Sequence, residues 1–118
     1  MPPGIFVTGI GIISSIGKNL DQTLQSVYSS ASGIGKITHL TTVHKESIPV
    51  AEVKATEQEL FNLAGIPSQE GYSRNTLLGI IAAREAFYHA GLDKQKGLRT
   101  GLISGTTVGG MDKCERYY

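Results

Sequence analysis

The stretch from Ser73 to Ala90 constrains this chain more than any other. Leu77, Leu78, Ile80, Ile81, Ala82, Ala83, Ala86 and Phe87 fall so densely that a helix here is apolar around most of its circumference. Gly91 supplies the stop. A helix of that kind belongs inside a larger body, because every uncovered face leaves apolar surface in water. A chain of 118 residues buries only roughly two thirds of its unfolded surface, so wrapping a long helix on all sides is hard. The expectation is that residues 1–118 are the front part of something larger, cut off within its architecture.

Around that helix the chain reads as alternating strands and helices. Ile5 to Ile13 is short, apolar and β-branched, which predicts a strand buried on both faces. Ser14 to Lys18 makes a turn. Asn19 to Ser30 places Leu20, Leu24, Val27 and Tyr28 at helical spacing before Gly33. Residues 34–46 are polar and predict an irregular surface excursion, and Ile48 to Val53 alternates like an edge strand after Pro49. Thr56-Glu-Gln-Glu59 is a capping box, which opens a short helix ending near Gly65-Ile66-Pro67. Arg99 to Ser104 predicts the next strand, running into Gly105-Thr-Thr-Val-Gly-Gly110. This order is α/β, and right-handed crossovers would make the two main strands parallel. The glycine turn would then sit at the carboxyl edge, where such sheets bind ligands. No repeat, low-complexity tract or linker divides the chain, so 1–118 is read as one unit.

Composition narrows the partners. Eleven Lys and Arg against ten Asp and Glu give no basis for nucleic acid or an anionic membrane as a partner. No run approaches the roughly 18 apolar residues of a membrane span. Met-Pro-Pro-Gly opens without a basic residue before Lys18, unlike a secretory signal, and a single cysteine suits a reducing cytoplasm.

Individual motifs carry little by themselves. Gly9-Ile-Gly11 follows a strand, but Ser14 stands where a dinucleotide fingerprint needs its third glycine, and no acidic residue lies in 31–35. The favoured reading is a pair of glycines that lets a helix pack closely. Gly105 to Gly110 lacks the Gly-Lys-Ser/Thr ending of a phosphate loop, so it is either a turn needing positive φ or backbone that walls a substrate cavity. Cys114 has Lys113 and Arg116 beside it but also Glu115, and no base is evident for nucleophilic work. It reads as a helix residue. His39 and His44 have no companion thiol or carboxylate cluster, so no metal site is expected, and no cofactor either.

Taken in order, the segments resemble the N-terminal portion of a β-ketoacyl-acyl-carrier-protein synthase, of the thiolase-fold condensing-enzyme family. Val7-Thr-Gly-Ile-Gly-Ile-Ile-Ser-Ser-Ile-Gly17 resembles the family's opening, and Ala31-Ser-Gly-Ile34 the end of its first helix. Tyr72-Ser-Arg74 through Ala82-Ala-Arg-Glu-Ala86 resembles its long helix. Gly101-Leu-Ile-Ser-Gly-Thr-Thr-Val-Gly-Gly110 resembles the strand and turn beside its acyl pocket.

The resemblance implies a partial thiolase-like fold, the first part of an α/β/α/β/α layered sandwich that usually dimerises. It implies a decarboxylative Claisen condensation of an acyl thioester with malonyl-acyl-carrier-protein, in fatty acid or polyketide assembly. The family's nucleophilic cysteine, two histidines and lysine lie beyond the glycine turn, so no catalytic residue is expected in this chain, which would be inert alone. What carries over is the pocket: Val108 as the apolar residue that gates the acyl chain, flanked by Thr106, Thr107 and Gly109. Ile66 to Gly71 departs from the family, which often places basic residues there to meet the acidic carrier protein; Arg74 is the nearest. The alternatives are a short non-catalytic partner of a full-length synthase and, disfavoured by the failed fingerprint, a nucleotide-binding α/β module.

Overall fold

The computed structural model of the protein describes residues 3–111, 113 and 114. Its regular structure is helical: α1 spans Leu20–Tyr28, α2 Glu57–Ala64 and α3 Arg74–His89, with a 3₁₀ turn at Leu92–Lys94. Each helix begins where a short polar side chain can satisfy a free backbone N–H. Asn19 accepts from the Gln22 amide at 2.9 Å and Ser73 from the Thr76 amide at 3.1 Å. At α2 the capping box is complete, with Thr56 Oγ1 accepting from the Glu59 amide and Glu59 Oε2 from the Thr56 amide. Gly65 (φ 69°) closes α2 and Gly91 (φ 66°) follows α3, both in the left-handed region that glycine enters freely.

The core lies between α2 and α3. Leu60, Phe61 and Ala64 of α2 pack with Leu77 and Ile81 of α3 and with Ala55 ahead of them. Phe61 meets Tyr72 edge-on at 6.0 Å. Arg84 ties the two helices by donating to the Ala64 carbonyl at 2.7 Å, a cation at the carbonyl end of α2.

The N-terminal segment lies against the same long helix. A Cβ on Gly11 would stand 2.0 Å from the Ala82 carbonyl oxygen, and one on Gly9 2.3 Å from that of Ala86. Only glycine permits this approach, which is the close-packing role read from the sequence. Glu85 then fixes the segment, its Oε2 accepting from Ile12 N at 2.8 Å and its Oε1 from Leu20 N at 2.7 Å. His89 Nδ1 lies 3.1 Å from the Ile10 amide nitrogen.

Those bonds correct the strand expectation. The Ile10 and Ile12 amides are satisfied by side chains of α3, and no strand ladder forms among the described residues. Among the described residues, pairing is limited to two isolated antiparallel bridges, Ser14 with Gly17 and Gly35 with Val50. The segments 5–13 and 99–104 are therefore not the parallel pair that the α/β order predicts, and 48–53 contributes one bridge and no edge strand. A β-strand exists only by sharing hydrogen bonds with a neighbour, and an isolated pair is marginal in water. Ile5 and Ile103 are fully exposed, as are most of Phe6, Val7 and Leu102.

The long helix is likewise covered only in part. Leu77 and Ile81 are buried, whereas Gly79, Ala83 and Phe87 are exposed. Magnitudes for the whole chain agree. The accessible surface is 9353 Å², against about 6,200 Å² for a self-contained protein of this mass. The radius of gyration is 16.8 Å, where a compact chain of this length gives about 13.5 Å.

The excursion at 34–46 is irregular, as its polarity predicts, but it is pinned. Glu52 accepts from the amides of Thr38, His39 and Leu40 and from the Thr38 hydroxyl, at 2.8 to 3.0 Å. Partial burial pushes this carboxyl up, yet those hydrogen bonds outweigh it and hold the pKa at about 2, below the usual 4.5.

Candidate functional site

The glycine turn is placed by α3. Asn75, in the first turn of that helix, donates from Nδ2 to the Val108 carbonyl at 2.9 Å. Gly110 adopts φ 81°, and its carbonyl accepts from the Lys113 and Cys114 amides, which starts a helical turn there. Gly109 lies against Thr106, where a Cβ would meet its Cγ2 at 2.8 Å. The turn thus uses glycine both for a positive φ and for close approach.

Thr106, Thr107, Val108 and Gly109 come together on this turn, and all four are exposed. Val108 is 56% exposed, so no apolar tunnel is closed around it among the described residues. A nearby cleft of about 500 Å³ reaches Phe61, Glu57, Glu70 and Lys113. Its carboxylates suit it poorly to an acyl chain. Lys113 stands 3.9 Å from Glu57, a surface pair of small energetic weight.

Of the remaining candidate groups, two histidines are held at other segments. Cys114 is a free, exposed thiol. His89 is engaged at Ile10, and the His39 amide belongs to the Glu52 cluster. Among the described residues, no group of three or more His, Cys, Asp and Glu is placed to hold a metal ion. No described helix is long and apolar enough to cross a membrane.

Three residues with clear structural roles were missed in the sequence: Asn75, Glu85 and Glu52. Each acts on backbone distant in the chain, at separations of 33, 65 to 73 and 12 to 14 residues. No local spacing rule reports such pairs. A polar residue within a largely apolar helical face is the one signal that could have marked Glu85.

A chain of capped helices, a glycine segment pressed to the long helix and a glycine turn at that helix's start matches a known family over its length. The model of the β-ketoacyl synthase N-terminal domain matches residues 3–118, and the chain belongs to that family. Among curated relatives, it is 33% identical over 116 residues to 3-oxoacyl-[acyl-carrier-protein] synthase 2 of Staphylococcus aureus (strain COL), covering 94% of this chain and 27% of the relative. It is 31% identical over 105 residues to 3-oxoacyl-[acyl-carrier-protein] synthase 1 of Buchnera aphidicola subsp. Acyrthosiphon pisum, covering 86% of this chain and 25% of the relative. The chain thus spans about a quarter of the length of the curated relatives it matches. No solved structure matches it significantly.

Proposed function

We propose that residues 1–118 form the N-terminal portion of a cytoplasmic 3-oxoacyl-acyl-carrier-protein synthase, an acyltransferase of fatty acid or polyketide assembly. The observation that carries this reading is the uncovered apolar surface at 5–7 and 102–103, in a chain with half again the surface expected of its mass. Surface of that kind is the inner face of a larger body, and the matched relatives are about three and a half times as long. In that body the two bare segments join a sheet, giving the layered thiolase-like arrangement, and the whole associates as a homo-oligomer.

The reaction is a decarboxylative condensation. An acyl group passes from a carrier-protein thioester to a cysteine thiolate of the parent, releasing the carrier thiol. Malonyl-carrier then loses CO₂; its C2 carbanion attacks the acyl carbonyl, and the cysteine thiolate leaves. The nucleophile and its histidines lie outside these residues, so the chain alone is inactive. Its own part is the wall of the acyl pocket. Val108 presents a β-branched side chain to the acyl tail, and Gly109 lets backbone approach closely. Thr106 and Thr107 flank them.

The test supplies the protein purified from its native gene with an acyl-carrier thioester and malonyl-carrier protein. Formation of the 3-oxoacyl-carrier with one CO₂ released per product supports the reading. A fully folded protein that yields neither overturns it.

A further inference from the structure

The Val108 turn is held to the folded body by a residue outside it. Residues 105–109 are exposed, glycine-flanked and without a strand partner among the described residues, so the turn cannot fix its own position. Asn75 reaches it from α3, the helix that carries Leu77 and Ile81 into the core. The bond goes to the Val108 carbonyl itself, so it sets the backbone from which that side chain projects. Asn75 is well suited to the task, because its own backbone is locked in the capped first turn and its amide must donate to reach a carbonyl.

We infer that Asn75 is the positioning residue for the Val108 turn, and that through Val108 it sets which acyl chain lengths the synthase accepts. This rests on the acyl-pocket reading above. Loss of the bond frees the turn and blurs the limit that Val108 imposes. An aspartate in its place can only accept, and so cannot bond to the carbonyl.

The experiment uses the full-length enzyme and compares kcat/KM for a short and a long acyl-carrier substrate in N75A, N75D and V108A. Amide hydrogen exchange at 105–110 and at α2–α3 is followed in parallel. N75A and N75D are expected to change the long-to-short ratio about fivefold, the worth of one neutral hydrogen bond, and to speed exchange in the turn while α2–α3 stays protected. If V108A shifts the ratio and the two Asn75 variants do not, the positioning role fails and the pocket reading survives. If V108A leaves the ratio unchanged, the pocket reading fails and the role falls with it. Unaltered exchange at 105–110 in N75A also overturns the role.

Discussion

Glu52 shows how one carboxylate can organise a segment that has no regular structure. Residues 34–46 have few apolar side chains to bury, yet three successive amides and a hydroxyl converge on Glu52. Because its folded pKa lies at about 2 and its ordinary value at 4.5, the ionised form favours the folded state. That contribution is complete above pH 4.5 and is lost as the pH falls toward about 2. A melting-temperature series from pH 6 to 2 should show the loss, and E52Q should flatten the acid step. A variant as acid-sensitive as the parent protein would show that other groups govern this window. The sequence displayed the residue but not its role, because its donors lie 12 to 14 positions away. Thr56 and Glu59 were legible for the opposite reason, since a capping box is complete within four consecutive residues.

Among the elements, helices were readable and strands were not. A helix satisfies its backbone within its own segment, so caps and periodicity announced all three. Their buried faces were harder to read. The apolar residues Leu24, Val27 and Tyr28 of α1 are exposed, and the buried residue of that helix is Thr23. Thr23 sits against Gly17, where a Cβ would meet its amide at 2.5 Å. Strands depend on neighbours, and the run at 5–13 instead lends two amides to α3. Glu85 is the main clasp, holding the Ile12 and Leu20 amides at once. E85A should therefore destabilise the chain by about 2 kcal/mol, from hydrogen bonds to a charged group left unmade. Denaturant melts would measure the loss, and hydrogen exchange should locate it at residues 10–20. Full protection there in E85A would contradict the clasp. E85Q keeps one acceptor oxygen and should lose less.

At the scale of the whole molecule, the surplus surface is the dominant fact. Hydrophobic burial is the main favourable term in folding, and here much of the apolar material stays in water. Bare apolar segments with unpaired backbone are templates for association. Residues 1–118 expressed alone should therefore self-associate, giving a light-scattering mass well above 12.6 kDa that rises with concentration. A stable monomer would show that the exposed segments at 5–7 and 102–103 are tolerated without cover. The density of apolar residues in α3 was the sequence's clearest report of this state. It marked a helix with apolar residues on more faces than the described residues cover.

The central claim, that these residues are one part of a larger synthase, is tested most directly by the intact mass of the polypeptide made from the native gene. A mass about three and a half times 12.6 kDa, in line with the relatives of which this chain spans 27%, is the expected result. A mass near 12.6 kDa would contradict the account, and would make the chain a short subunit whose bare faces are closed by a separate partner.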